Sequence, residues 1–568
     1  MAKKNFRLLA KNIAKDLLPP ALNEGILCLA RKFEGNRLNR WKITPIDTGL
    51  HYLENFKNCK TKKYWLQLKL EVRAGIIIKD RIGFSVSCES LNYEYLQLGL
   101  GARKSSSRNS IKVFLDDVLC AHIEDLSDDV WHDFRLKIEK DKKEINIRIE
   151  EFGIKKLYAS HPVFINKKEP DINTNSKKPK NIICLIADSI NFKNLKSLGS
   201  EITPNLHEFF RHGTSCNQAF TQADWTLPAF SSMLTGLHVS RHGVCHPGPN
   251  DFFLNDAIPT LPELLLKQGY KTYGYSTHNR FSPAYGQAKG FERFMFKPFG
   301  NEFSYSAIQD VIFHLDAHKT DPNFIMMHVF DVHPPYKPSS YLKESLMKPF
   351  RDDCLFYKVR GEKYDSHLSN MEDEMKAKMK EFDVSIANLF SYLEKNNMVD
   401  DTLVIFTADH GISYRHKEKP RLIDERIHVP LLVRGPNIPT GEEDSLIECS
   451  VDLMPSILRC ANIEIPENID GKIWPFLGGK ARDKVFSESL YQNKYSTVIK
   501  DNKNSHHLIY PYDADNRTIN FKKRNPIVSY KRENYFDIEE EDIGTGEKEM
   551  LEIYDEIENM HSSTKKFF

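Results

Sequence analysis

The chain has 568 residues, of which 40% are hydrophobic and 28% charged, an ordinary balance for a soluble globular protein of two or three domains. A formal net charge of +2 leaves no basic footprint for nucleic acid, so no nucleic-acid partner is expected. The ten cysteines are scattered without paired spacing, as thiols in a reducing compartment are.

Residues 1–35 open the chain with Phe6, Leu9, Ile13 and Leu17 at helical spacing, surrounded by Lys3, Lys4, Arg7, Lys11 and Lys15. The pattern predicts an amphipathic helix, packed on its own domain or in peripheral contact with an anionic membrane surface. It has no uninterrupted apolar core of signal-peptide length, and no segment of the chain reaches the roughly 18–20 apolar residues of a membrane span. A cytoplasmic enzyme is expected, membrane-associated if that helix lies on a bilayer.

From 40 to 165 the period changes. Tyr64, Leu66, Leu68, Leu70 and Val72 alternate with polar residues, as do Phe134, Leu136 and Ile138, then Ile145, Ile147 and Ile149. That is the period of half-buried antiparallel strands, and it predicts an all-β, sandwich-like or jelly-roll-like domain. The segment 130–151 faintly resembles lectin-like jelly rolls, though alternation alone identifies no ligand. A polar stretch, KKEPDINTNSKKPK, marks a linker over 166–180.

Residues 181–480 alternate strand and helix patterns, which implies a mostly parallel sheet flanked by helices. The apolar run Ile182 to Ala187 reads as a buried parallel strand and stops at Asp188. Ligands of open α/β sheets collect at such carboxyl ends, so Asp188 is a candidate metal ligand. Helices are expected within 202–213 and 258–270, and a strand at 271–277. In TQADWTLPAFSSMLTG (221–236), Thr226 stands two residues before Pro228 at the start of an apolar helical run. Its hydroxyl would sit at a helix N-terminus, where backbone N–H groups favour anions. The strand in NFIMMHVFDVHPPY ends with Asp331 and His333 before two prolines, and the strand in TLVIFTADHG delivers Asp409 and His410 together. Carboxylates with an imidazole suit manganese or zinc over calcium, and one divalent ion is expected. Residues 340–400 read as helical, charged and part of a substrate rim. A small α+β subdomain with a C-terminal helix over 547–563 is expected in 481–568.

In this order the motifs resemble the sulfatase family of the alkaline phosphatase superfamily. The counterparts are Asp188, Thr226 with Leu234-Thr235-Gly236, His333 in HPPY, and Asp409 with His410; SRHGV, GFERF, HVPLLVRGP, VDLMPSIL and IDGK extend the likeness over about 178–490. The resemblance implies an alkaline-phosphatase-like α/β fold. It also implies a metal held by Asp188, Thr226, Asp409 and His410, with Thr226 as nucleophile and His333 as the acid for the leaving alcohol. Asn279, His416 and Lys419 would bind substrate, and His428 fills a position usually held by Arg.

The chain also departs from that family. Sulfatases proper oxidise a Cys or Ser to formylglycine in a C/S-x-P-x-R motif, where this chain has Thr226 and Phe230; Ser189 replaces a second acid, and Ser276 a lysine. A phosphorylated Thr can be resolved by a second in-line attack at phosphorus. The sequence therefore predicts a metal-dependent hydrolase or transferase acting on phosphate esters of phosphodiester or phosphonate type, carried on a glycan or lipid-linked glycan, through a covalent Thr226 intermediate. The alternatives are a sulfuric ester hydrolase acting on a sulfated glycan, and a glycan-binding pseudoenzyme.

Overall fold

The computed structural model describes residues 56–539, except 58–62, 69–70, 79–83, 88–94, 105, 128–129, 139–143, 161–162, 166–177, 246–252, 279, 297–303, 334–361, 414–420, 492–493, 514–517, 520–527 and 534–536. The expected helices at 1–35 and 547–563 and most of the linker lie outside the described residues. No helix among the described residues is long and apolar enough to cross a membrane.

The catalytic sheet is built around the strand Asn181–Ala187, which is hydrogen-bonded in parallel to Asn323–Val329 on one side and to Thr402–Thr407 on the other. Lys271–Ser276 and then Arg293–Phe296 continue the parallel set, while Leu431–Arg434 adds an antiparallel strand beyond Thr402–Thr407. Every residue of the three central strands is buried, which explains their near-continuous apolar sequences: a parallel sheet is covered on both faces. Ile186 pairs with His328 on one side and Thr407 on the other, so the three strands end at nearly the same level. This register brings together the residues that follow them.

The covering helices fall into two mutually packed groups. One contains Thr226–Thr235, Leu261–Lys267 and Cys449–Cys460; the other contains Phe192–Ile202, Pro204–Phe210, Ser304–Ala317 and Glu362–Lys395. The long helix Glu362–Lys395 presents Met375, Met379, Phe382, Ile386, Leu389, Phe390 and Leu393 to the main core, at the spacing of one helical face. That face is buried, while Val384 on the helix is exposed to solvent.

The alternating N-terminal sequence forms two facing sheets. Leu96, Leu98, Leu100, Ile111, Val113, Phe134, Leu136, Ile145, Ile147 and Ile149 point into one core between them. One of these sheets does not stop at the catalytic region. Its strand Glu71–Ile78 pairs antiparallel with Arg293–Phe296, making a single 14-stranded sheet. At this seam buried Arg73 pairs with Asp133 and Glu71, and Glu71 also accepts from Arg293 Nε at 3.1 Å. The isolated charge of a buried guanidinium would be costly, so the partners on both sides of the seam fix the junction.

A six-stranded sheet beginning at Val485–Tyr491 follows the catalytic part. Phe486, Leu490, Tyr495 and Ile499 from this sheet pack with Ala223 and Ala229, which flank Thr226. The C-terminal sheet therefore buttresses the segment that carries the candidate nucleophile.

Candidate active site and metal centre

Asp188 follows the central strand directly and is fully buried, with its backbone N–H donating to Val329 O at 2.9 Å. The next residue, Ser189, adopts a left-handed backbone with φ 65, which is unfavourable for a side chain other than glycine by about 1–3 kcal/mol. This turn aims two donors at the acids: Ser189 Oγ donates to Asp188 Oδ1 at 2.7 Å, and Ser189 N–H to Asp409 Oδ1 at 3.4 Å. Where the family carries a second acid, this chain has a residue that orients the two it keeps.

Asp409 and His410 leave the neighbouring strand in the same way. Asp409 Oδ1 also accepts the His410 N–H at 2.9 Å, while His410 Nδ1–H donates to Gly411 O at 2.8 Å. That bond assigns the proton to Nδ1 and leaves Nε2 as the ligating nitrogen. Gly411 is required by space: a Cβ there would meet the Glu425 carbonyl oxygen and come within 2.7 Å of Asn191 Cβ.

Thr226 begins the helix Thr226–Thr235, after extended Trp225 and before Gly236, which closes the helix at φ 68. Its Oγ1 lies 3.4 Å from Asp188 Oδ2 and 3.4 Å from His410 Nε2. The structure thus brings Asp188, Thr226, Asp409 and His410 together, with the hydroxyl at a helix N-terminus as its sequence implies.

His333 flanks this group, its ring 6.5 Å from that of His410 and stacked on Phe330 at 4.5 Å; Phe330 in turn stacks on His278 at 4.3 Å. Asp331 has a different task. Its Oδ2 accepts from both the backbone N–H and the hydroxyl of Ser304 at the start of Ser304–Ala317. Asn279, His416 and Lys419 lie outside the described residues. His428 is structural: its ring stacks on Phe192 at 4.5 Å and Phe220 at 4.7 Å, and its Nε2 donates to Asn217 O at 2.9 Å.

His328 is the residue that sequence reasoning missed. It sits inside the strand Asn323–Val329, fully buried, with Nε2 3.1 Å from Asp188 Oδ2 and 3.8 Å from Asp409 Oδ2. Phe230, in the position of the sulfatase Arg, meets this ring edge-to-face at 4.8 Å and stacks on Phe281 at 4.1 Å. A lone His in an apolar run was the only available signal, and such a residue is commonly a satisfied core side chain.

Charge is concentrated and unbalanced at the site. Burial pushes the Asp409 carboxyl above its ordinary range, and the charge of Asp188 adds to that. Burial opposes ionisation of Asp188 as well, but His333, the hydrogen bond from His328 and His410 together hold it well below the usual range. His410 is raised: burial disfavours its charged ring, but Asp409 and Asp188 outweigh burial. Asp409 Oδ2 is buried without a hydrogen-bond partner. Two fully buried carboxylates, one with an oxygen lacking a hydrogen bond, beside an imidazole whose Nε2 stands 3.5 Å from each acid, fit a divalent cation. Asp188, His328 and Asp409 each offer an atom within 4.8 Å of the others.

One further charged group borders the nucleophile. Asp224, buried two residues before Thr226, pairs with Arg421 and, at 3.6 Å, with Arg426. The two guanidiniums place positive charge next to the helix start.

The sulfatase family model matches residues 180–463, half of the chain. The chain belongs to the sulfatase family. Members typically bind a divalent metal, and this chain has a buried Asp-His-Asp group formed by Asp188, His328 and Asp409. Among similar proteins, arylsulfatase K of Xenopus laevis is 33% identical over 109 residues, 18% of this chain and 20% of that protein. The N-acetylglucosamine-6-O-sulfatase of Bacteroides thetaiotaomicron is 28% identical over 137 residues, 23% of this chain and 25% of that protein. The aligned segments span only about a fifth to a quarter of these curated relatives. A Bacteroides thetaiotaomicron structure from a locus for metabolism of multiple glycosaminoglycans superposes with a TM-score of 0.51 at 18% identity, covering 68% of this sulfatase-family chain and 96% of its own. That likeness establishes the shared mostly parallel α/β fold. The comparisons favour the sulfuric-ester alternative over the phosphodiester reading of the sequence.

Proposed function

We propose that the protein hydrolyses a sulfate ester carried on a glycan, by transfer of the sulfuryl group to Thr226 Oγ1 and then to water. The observation that carries the reading is the position of that hydroxyl, 3.4 Å from both Asp188 Oδ2 and His410 Nε2 at the start of a buried helix. Asp188, Asp409 and His410 would hold a divalent cation, which supplies Lewis acidity for a hydroxyl and for the ester oxygens. Thr226 Oγ1 attacks sulfur as its proton leaves to water. The bond to the sugar oxygen breaks, and His333 donates a proton to that oxygen, a role worth roughly 10²–10⁴-fold. Water then attacks the sulfur of the Thr226 ester, releasing sulfate and restoring the hydroxyl. The first-turn N–H groups and the Arg421 and Arg426 guanidiniums favour the anionic group in transit. The glycan as substrate is supported by the relative named as an N-acetylglucosamine-6-O-sulfatase.

A second reading rests on one observation: residue 226 is Thr and residue 230 is a buried Phe, so the formylglycine route of sulfatases is closed. An alkoxide nucleophile suits phosphorus equally, and the ester cleaved would then be a phosphodiester or phosphonate, with water or an alcohol as final acceptor.

Parallel turnover of an aryl sulfate, an activated phosphodiester and a phosphonate monoester, each with added divalent metal and with Thr226→Ala as control, separates the two. Sulfate turnover that the substitution abolishes is expected. Preference for the phosphorus esters would move the assignment to the second reading, and full activity of Thr226→Ala would refute the nucleophile in both.

A further inference from the structure

Two histidines face the same pair of carboxylates, and their hydrogen bonds differ. His410 gives its Nδ1 proton to Gly411 O at 2.8 Å, and its Nε2 stands 3.5 Å from Asp188 Oδ1 and 3.5 Å from Asp409 Oδ2, equidistant from the two acids. This is the arrangement of a ligating imidazole, whose far nitrogen hands its proton to a carbonyl or carboxylate.

His328 has the reverse arrangement. Its Nε2 meets Asp188 Oδ2 directly at 3.1 Å in hydrogen-bond geometry, and its Nδ1 is buried without a partner. Phe230 and Phe281 approach that ring edge-on at 4.8 and 6.3 Å, so its surroundings are aromatic. If Nε2 bound a cation, the proton would move to Nδ1 and a buried N–H would be left without an acceptor, costing about 1–3 kcal/mol. With the proton on Nε2, Nδ1 keeps only a lone pair, and the proton finds a carboxylate.

We infer that His328 is a positioning residue rather than a ligand: its Nε2–H donates to Asp188 Oδ2 and holds that carboxylate, with Ser189 Oγ on Oδ1, in the orientation the cation requires. The centre then contains one imidazole, His410, together with Asp188 and Asp409, and its remaining side faces Thr226 Oγ1. Phe230 acquires a role in this arrangement. In place of an arginine that would serve formylglycine, it packs edge-to-face on the His328 ring and offers it no acceptor.

The inference rests on the metal-site reading of the proposed function, and its test is chosen to fail separately. Zinc-loaded unsubstituted protein is measured by X-ray absorption, which counts coordinated imidazoles through their multiple scattering, and zinc affinity is measured by competition with a chelator. One imidazole is expected; two would overturn the inference while leaving the metal site intact. His328→Gln retains an N–H at the Nε2 position and is expected to stay within about threefold of the unsubstituted affinity, whereas His328→Ala loses about 10–100-fold. His410→Gln loses more than either. A His328→Gln variant that loses zinc as fully as His410→Gln would also overturn the assignment. Failure of the unsubstituted protein to bind any divalent metal would overturn the metal-site reading itself, and this inference with it.

Discussion

Replacing Asp409 by asparagine is expected to stabilise the metal-free protein and destabilise the metal-loaded one. Asp409 Oδ1 accepts backbone N–H groups from His410 and Ser189, bonds that an asparagine carbonyl preserves, while Oδ2 has no hydrogen-bond partner. The ligand atoms of Asp188 and Asp409 lie within 4.8 Å of one another. Two unit negative charges at that separation repel by about 3.5 kcal/mol at an effective dielectric constant near 20. Burial and the Asp188 charge already raise the Asp409 pKa, and the nearby His410 offsets part of that, so a net gain of about 1–2 kcal/mol remains. For a domain of about 300 residues that corresponds to about 2–3 °C in Tm. Metal reverses the order, because a ligand at a hundred times its Kd stabilises the unsubstituted protein by about 2.7 kcal/mol, and Asp409→Asn forfeits most of it. Thermal melts of both proteins in chelator and in excess zinc or manganese would read the crossover. An Asp409→Asn variant that melts at or below the unsubstituted protein in chelator would refute the reasoning that the two acids are held together for a cation.

Three further outcomes are expected. Glu448 is buried between Arg482 at 3.0 Å and His238 at 3.1 Å; despite burial, these cations lower its pKa to about 2, while Glu448 raises that of His238 to about 9 against its burial. The Glu448 contribution is present above its unfolded value near 4.5 and lost as pH falls toward 2; the His238 contribution is present below 6.5 and lost as pH rises through 9. The stability difference between the unsubstituted protein and Glu448→Gln, from urea unfolding, should therefore peak at about 3 kcal/mol between these unfolded values; a difference independent of pH would contradict it. Phe230→Ala should cost about 3–5 kcal/mol in guanidinium unfolding, since the ring is fully buried against Phe281 and His328; a loss under 1 kcal/mol would show that the stack is not formed. Gly411→Ala sets a Cβ against the Glu425 carbonyl and Asn191 Cβ, and should lower Tm and weaken metal binding together; an unchanged melt and affinity would rule out the close approach.

Several features were legible before any tertiary contact was known. A parallel strand covered on both faces must be apolar throughout, so Ile182–Ala187 and Leu403–Phe406 announce themselves, and the polar residues that end them, Asp188 and Asp409 with His410, stand out as strand-end ligands. The alternation of Ile145, Ile147 and Ile149 announces a half-buried sheet for the same reason, and these residues do point into one core. Thr226 was legible because an apolar helical run has to begin somewhere, and its beginning collects unpaired N–H groups.

Other features depend on which segments become neighbours, and local sequence carries no record of that. Asp331 looks like a ligand in its strand-end context, yet it is taken up by the start of Ser304–Ala317, 27 residues earlier. The seam that joins the N-terminal sheet to the catalytic one depends on the pairing of Val72 with Phe294, two residues from regions with unrelated periodicities. His328 is the clearest case. Within its own strand it is one polar residue in a buried run, and it gains meaning only because parallel register sets it beside Ile186, two residues before Asp188, and because Phe230 packs edge-to-face on its ring. The sequence by itself determined which strands are buried and what they carry at their ends, since burial selects residue types along the chain. The tertiary structure decided which of those groups share one small volume, since hydrogen bonds and charge act across space and not along the sequence.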